Sequence, residues 1–312
     1  MLDMQKIQYF LKSTSKRLIG EGLYCPSCGC SRSQSVSQKY WVTELRRCDD
    51  CLLLFRTPAT SDDENRSFYQ KRYRQGFTTD MPDENRLAAL KNAKFKGTEK
   101  DYSRFLAVLN ALGIKRGSRL LDFGCSWGYG SWQFAQNGFE VESYEISEPR
   151  RRYAIKNLGC TVHSRLADIT PGFDVFFSSH VLEHVPSPKN VIELALSVVK
   201  PGGLFVAFTP NGSAPHRAKE PARWGKLWGL VHPNFLDDQY YRQQFGAYPY
   251  LLASDPYDLD EIKSWDASEL RQRVLDLSGP ELLCIVRIER PQSRETPTPA
   301  GKVVQGVQSK SR

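Results

Sequence analysis

The sequence predicts a doubly wound α/β fold with a mostly parallel sheet, preceded by a small cysteine module. Three observations carry this. Apolar strand-like runs alternate with helical segments from Ser118 onward, the first such run breaks into a glycine-rich turn at "LLDFGCSWGYG" (residues 120–130), and two C-x2-C pairs stand near the N-terminus. A parallel pair of strands needs a crossover between them, and a helix is the usual one, so strand and helix alternate in such a chain.

The N-terminal stretch "MLDMQKIQYFLKSTSKRLIG" is interrupted by Lys6, Lys12, Lys16 and Arg17, so it lacks the apolar centre of a signal peptide. No apolar run reaches the roughly 18 residues of a membrane span. A cytoplasmic protein with reduced thiols and no membrane partner is expected. Residues 1–60 read as this segment plus the cysteine module. In the module, Cys25 and Cys28 are separated from Cys48 and Cys51 by nineteen residues, the ligand count and spacing of a closed tetrahedral zinc site. Such a site leaves no position for water, so a structural Zn2+ is expected. Cys30 is an alternative ligand with a poorer spacing. Cys125, Cys160 and Cys284 lie in apolar contexts and read as packing residues.

Residues 61–115 read as a helical linker or lid that closes at Gly113, with Tyr69 and Tyr73 as aromatics able to pack or to cover a ligand. Residues 116–290 form the main domain. Its elements run as strand "RLLDFG", helix "GSWQFAQNG", strand "EVESYEIS", helix "EPRRRYAIKNLG", strand "TVHSRLAD" and buried strand "FDVFFSSH". They continue as helix "NVIELALSVV", the "KPGG" turn and strand "GLFVAFTPN". Residues 211–235 read as a long functional loop, "DASELRQRVLDLSG" as a helix with a capping box at Asp266 and Glu269, and "ELLCIVRIER" as a last strand. Residues 291–312 have the composition of a disordered tail.

The formal charge of +8 is uneven: residues 1–115 hold 20 Lys/Arg against 13 Asp/Glu, whereas residues 116–286 hold 17 against 20. The central domain is therefore slightly acidic, and four zinc-bound thiolates would offset part of the N-terminal excess. A nucleic-acid-binding surface is poorly supported, and solvated cations account for the balance.

A strand ending in Gly124 and Gly128 before a helix lets backbone come close to a ligand, and Glu145 ends the second strand 21 residues after Gly124, where an acid commonly takes ribose hydroxyls. Asp122, Gly124 and Gly128 in this stretch resemble motif I of the class I S-adenosylmethionine-dependent methyltransferases, D-x-G-x-G-x-G, with Ser126 in place of the middle glycine. "YEIS", "FDVFFSSHVLEHVPSP" and "KPGGLFVAFTPN" extend the resemblance over residues 116–211. It implies a Rossmann-like sheet that binds S-adenosylmethionine across the carboxyl ends of its strands. Asp122, Gly124, Ser126, Gly128, Glu145 and Ile146 would hold the cofactor, with adenine near Ala167 and Asp168. A similar cysteine ribbon precedes the catalytic domain in bacterial methyltransferases that act on sugars and small molecules.

Methyl transfer from a sulfonium is an in-line displacement that asks the enzyme to position the acceptor and remove its proton. His180 and His184 follow the fourth strand of the resemblance, and His232 lies in the loop after the fifth; histidine has a suitable base strength. His184 and Glu183 can equally brace the loop. Trp224 and Trp228 can stack on an acceptor or close a core. Sugar C-methyltransferases of similar organisation carry Y-x-E-H where this chain has "GLVH", which favours an oxygen or nitrogen acceptor, a sugar or nucleotide-sugar hydroxyl first. An RNA methyltransferase and a non-catalytic cofactor- or partner-binding module are the alternatives.

Overall fold

The computed structural model describes residues 4–61, 63–65, 80–265 and 272–289. Tyr69, Tyr73, the capping box at Asp266 and Glu269, and the tail 291–312 lie outside the described residues. Strands are numbered in chain order: β1 Ser33–Lys39, β2 Thr43–Cys48, β3 Leu54–Thr57, β4 Arg119–Phe123, β5 Glu140–Tyr144 and β6 Thr161–His163. The rest are β7 Phe173–Ser179, β8 Val199–Pro210, β9 Asn234–Phe235, β10 Tyr250–Ser254, β11 Gln272–Val274 and β12 Glu281–Arg287.

The eight-stranded sheet runs β11-β10-β12-β8-β7-β4-β5-β6. β6, β5, β4, β7 and β8 are mutually parallel, and β12 is antiparallel to both β8 and β10. The chain leaves β4 towards β5 and β6 on one side, then crosses to β7 and β8 on the other. The strand order therefore reverses between β4 and β7, the place where open sheets bind ligands beyond their carboxyl ends.

Side chains alternate between two buried faces. Leu121, Phe123, Phe176, Phe205 and Ala207 point to one apolar core, which includes Val191, Ile192 and Ala195 of the helix Pro188–Val198. Leu120, Val175, Phe177, Val206 and Phe208 point to the other, with Phe105, Val108 and Leu109 of the helix Ser103–Ala111. Central strands buried on both faces read as unbroken apolar runs, which is why "FDVFFSSH" and "GLFVAFTPN" were recognisable.

The cysteine module forms a second sheet, β1-β2-β3-β9, antiparallel throughout. Its fourth strand comes from the loop after β8, where 211–235 also holds two short helices, Ala214–Lys219 and Pro221–Lys226. Trp224 and Trp228 are 3% and 2% exposed and pack with Leu45, Leu54 and Phe235, so they close the core between module and loop and do not stack on an acceptor. The helix expected over 266–279 is corrected in its described part: Gln272–Val274 pairs in parallel with β10, and tertiary pairing overrides the local helical spacing. The strand expected over residues 161–168 stops at His163 and turns into a single helical turn, Leu166–Asp168. The N-terminal segment is itself a helix, Met4–Leu18.

Candidate active site

The turn after β4 is built by three left-handed residues, Gly124, Ser126 and Gly128, with φ of 85°, 53° and 88°. The protein's own packing already requires glycine at both ends of this turn. A Cβ on Gly124 would stand 2.4 Å from Val181 Cγ2, and one on Gly128 would stand 2.8 Å from Ala154 Cβ. Ser126 tolerates its positive φ because both its ends are tied: its N–H donates to Glu145 Oε2 at 2.8 Å, and Arg150 Nη1 donates to its hydroxyl at 2.5 Å.

Glu145 is 6% exposed at the end of β5. Its other oxygen accepts the Ser147 N–H at 2.7 Å. Burial pushes this carboxyl up to about 7, against the pull of Ser147, Arg150 and Ser126. Each oxygen keeps a lone pair beyond its backbone bond, so an under-solvated acid stands ready for hydroxyl donors. A ribose diol fits that need, and the donor chemistry of this site is therefore compatible with S-adenosylmethionine. Ile146 sits between Glu145 and Ser147 in the same turn. Asp168 stands in the helical turn after β6, paired with Arg165 at 2.6 Å.

Asp122 takes a different place. It is 2% exposed and accepts the Ser131 hydroxyl at 2.6 Å, which in turn accepts from Ser143 Oγ at 3.0 Å. This acid ties β4 to the helix Tyr129–Gln136 and to β5, and burial raises it to about 6.

On the other side of the strand-order reversal, the loop after β7 carries the acceptor-side candidates. The structure brings His180, His184 and His232 together around Glu183. The rings of His184 and His232 meet edge to face with centroids 4.6 Å apart. His180, at φ 54°, leaves β7 in the left-handed region. Its Nε2 donates to Glu281 Oε2 at 2.5 Å and its Nδ1 stands 3.4 Å from Glu183 Oε1. Burial alone would lower this imidazole, but the two carboxylates outweigh it and hold it protonated, up to about 10. Burial likewise would raise Glu183, yet the protonated His180 beside it holds it down to about 2, fully buried and ionised. His184 is pushed down to about 4 by burial. It is neutral at physiological pH and a feeble base by itself.

Glu281, Arg104 and Tyr257 were missed in the sequence. Arg104 grips Glu281 with two bonds of 2.7 and 2.8 Å, and the Tyr257 hydroxyl donates to Glu281 at 2.5 Å. They come from three distant segments with no shared spacing. The one available signal was an acid opening the apolar run "ELLCIV" of a central strand.

The cysteine group is as the spacing predicted. Cys25 Sγ lies 3.5 Å from Cys51 Sγ and Cys28 Sγ lies 3.4 Å from Cys48 Sγ, and all four sulfur atoms are within 4.8 Å of one another. Sulfur atoms each about 2.3 Å from one tetrahedral zinc stand about 3.8 Å apart, so this cluster fits the ion with little movement. Cys30 is outside it and leans on the Arg32 carbonyl. The hydrogen bond between Cys25 and Cys51 splits that pair, holding the Cys25 thiol well above its ordinary value and pulling Cys51 down to about 6.

The module also positions the segment that carries His232. Arg56 N–H donates to Pro233 O at 2.8 Å and Arg56 Nη1 to Gly229 O at 3.0 Å, while Lys39 Nζ donates to Trp228 O. Asn234 N–H donates to Glu183 O at 3.2 Å, joining β9 to the loop after β7. His232 therefore sits on a segment clamped between the two sheets.

Strand order, the turn after β4 and the buried acid after β5 together define a class I S-adenosylmethionine-dependent methyltransferase domain. Residues 96–274 match the family described as methyltransferase domain, and the chain belongs to that family. Among similar proteins, the ubiquinone biosynthesis O-methyltransferase of Burkholderia ambifaria is 34% identical over 130 residues, 38% of this chain and 56% of the relative. That of Idiomarina loihiensis is 32% identical over 105 residues, 30% of this chain and 43% of the relative. The chain thus spans about half the length of the curated relatives it matches. A solved magnesium protoporphyrin IX methyltransferase from Synechocystis covers 73% of this chain and 100% of its own at 16% identity and a TM-score of 0.47. A plantazolicin methyltransferase covers 72% and 95% at 13% identity and a TM-score of 0.46. Among the described residues, no helix is long and apolar enough to cross a membrane.

Proposed function

We propose that this protein transfers a methyl group from S-adenosylmethionine to a hydroxyl of a small polar molecule. Glu145, Ile146 and the turn Gly124–Gly128 would hold the cofactor, with Asp122 bracing that turn and Asp168 at its adenine end. Glu183, His184 and His232 would receive the acceptor. The observation that carries this reading is the contact between the two halves: Gly124 of the cofactor turn packs against Val181, next to His180 in the loop that bears Glu183 and His184. The cofactor turn and the acceptor loop would then meet at the strand-order reversal.

Bound there, S-adenosylmethionine supplies an electrophilic methyl on a positively charged sulfur. The chain's own task is to orient the acceptor oxygen and take up its negative charge as the proton leaves. That oxygen then bonds to the methyl carbon while the carbon–sulfur bond breaks, leaving a neutral thioether. Held as a cation between Glu183 and Glu281, His180 keeps the acceptor-side carboxylate charged and in place, which makes it a positioning residue. Cys25, Cys28, Cys48 and Cys51 would hold a structural zinc ion, in a module spanning residues 1–60. The segments 61–115 and 116–290 would be the lid and the methyltransferase domain.

The relatives are named as O-methyltransferases, which supports oxygen as the atom methylated. Within that class, a sugar hydroxyl is the narrower reading drawn from the cysteine ribbon. The test is transfer of radiolabelled methyl into separate pools of nucleotide sugars, phenolic quinone precursors and RNA. Label in either small-molecule pool supports the proposal and selects the acceptor, whereas label in RNA alone overturns it.

Cofactor affinity should also depend on pH. Glu145 is protonated below about 7 and then loses acceptor capacity for ribose hydroxyls, so affinity should weaken up to about tenfold per unit as pH falls below that value. Glu145→Gln should bind at least tenfold more weakly at pH 8 and lose the pH dependence between 6 and 8. Calorimetric titration with S-adenosylmethionine checks both, and a pH-dependent Glu145→Gln would remove Glu145 from the ribose site.

A further inference from the structure

At the end of β7, three electron-pair donors converge with too few protons between them. Glu183 is fully buried, and neither carboxylate oxygen has a hydrogen-bond partner. His184 Nδ1 bonds the Val231 carbonyl at 2.8 Å and His232 Nδ1 bonds the Leu227 carbonyl at 2.5 Å. A carbonyl can only accept, so each Nδ1 carries a proton and Nε2 is the ring atom left to act as a ligand. One carboxylate oxygen and one nitrogen from each ring lie within 4.8 Å of one another. The His180 imidazole reaches only one oxygen of Glu183, at 3.4 Å from Nδ1, so it leaves the set electron-rich.

We propose that Glu183, His184 and His232 bind one divalent first-row metal ion, which in turn holds the oxygen of the methyl acceptor. Two histidines and one carboxylate are a recurrent ligand set for such ions and leave positions open for a substrate. Ligand atoms about 2.1 Å from a shared ion stand about 3.0 to 4.2 Å apart, so the group needs only a small contraction. The Val231 and Leu227 carbonyls already supply the outer contacts that fix the tautomer and aim of metal-bound histidines. The site is chemically distinct from the cysteine group, since nitrogen and oxygen donors accept Mn2+ and Zn2+ whereas thiolates favour zinc. An ion held there would make an acceptor hydroxyl more acidic, so that its proton leaves to solvent while the oxygen bonds to the methyl carbon and the carbon–sulfur bond breaks.

This inference rests on the acceptor-site reading above, and metal uptake tests it apart from turnover. The full chain, loaded with one equivalent of Zn2+ at the cysteines, is titrated with Mn2+ and the free ion is followed by electron paramagnetic resonance. A parallel sample is equilibrated with excess Zn2+, desalted and analysed for metal. One further equivalent of either ion is expected in the wild type, weakened at least tenfold in Glu183→Gln and in His232→Gln. The second variant replaces a partly exposed residue and keeps the test valid if the buried one fails to fold, as judged by cofactor binding. No uptake beyond the cysteine equivalent, or equal uptake by wild type and the His232→Gln chain, overturns the proposal. Metal uptake without methyl transfer to any small molecule would leave the site standing and sink the acceptor reading instead.

Discussion

Replacing His232 with alanine should lower kcat by about 10²- to 10³-fold while the dissociation constant of S-adenosylmethionine stays within about twofold. The separation follows from geometry. His232 touches His184 and the Leu227 carbonyl, and it belongs to the loop pinned by β3, whereas the cofactor turn is tied to β5. Removing it opens the group that receives the acceptor but leaves the Ser126–Glu145–Ser147 bonds intact. Loss of one group that removes or stabilises charge on a reacting oxygen typically costs two to four decades. Part of the loss would come from His184, whose ring would lose its edge-to-face neighbour. Steady-state kinetics on the acceptor found by the labelling experiment, with calorimetry for the cofactor, measures both numbers. A kcat within threefold of wild type would show that the acceptor lies elsewhere.

Replacing Cys48 with serine should drop the zinc content from one equivalent to below about 0.1 and lower the melting temperature by about 10 °C or more. Small zinc modules draw about 10–16 kcal/mol of folding free energy from the ion, and loss of even a few kcal/mol shifts a domain of this size by that amount. The effect should not stay local. Cys25, Cys48 and Cys51 pack in the same apolar core as Phe123, Leu236 and Tyr240, and Arg47 pairs with the buried Asp237 at 2.5 Å. Asp237 caps the helix Asp238–Phe245 through the Tyr240 N–H. Disorder in the module therefore reaches the segment that carries His232, and kcat should fall along with stability. Atomic absorption and differential scanning calorimetry check the first two effects. A variant that melts at the wild-type temperature would show that the cysteines need no ion.

Much of the sheet was legible because its strands carry their own signatures. Doubly buried strands are apolar throughout, and the helix Glu148–Leu158 ends at Gly159 in the left-handed conformation that glycine favours. The cysteine cluster was legible because ligand count and spacing are local properties. The place of Glu145 beside the glycine turn, whose Ser126 N–H it accepts, was legible from its distance along the chain. What sequence could not show is pairing between distant segments. Glu281 is separated from Arg104 by 177 positions and from His180 by 101, so the network that charges His180 has no local trace. For the two tryptophans in the loop after β8 the sequence left two readings open, a stacking platform or a core, because aromatic residues serve both ends. Only the burial against Leu45 and Leu54 assigns them to the core. The parallel pairing of Gln272–Val274 with β10 escaped for a similar reason, since three residues in a polar segment carry too little periodicity to announce a strand.

The shared fourth strand also sets a timetable for synthesis. β3 ends at Thr57 and its partner β9 begins at Asn234, so the ribosome adds 176 residues between them. At about 5 to 20 residues per second that interval lasts on the order of 10 to 30 s. During it the cysteines are already available to gather their ion, yet one edge of the young sheet stays open to other chains. An early-folding N-terminal module must thus wait, with one edge unpaired, for a short strand that arrives only after most of the catalytic sheet has been made.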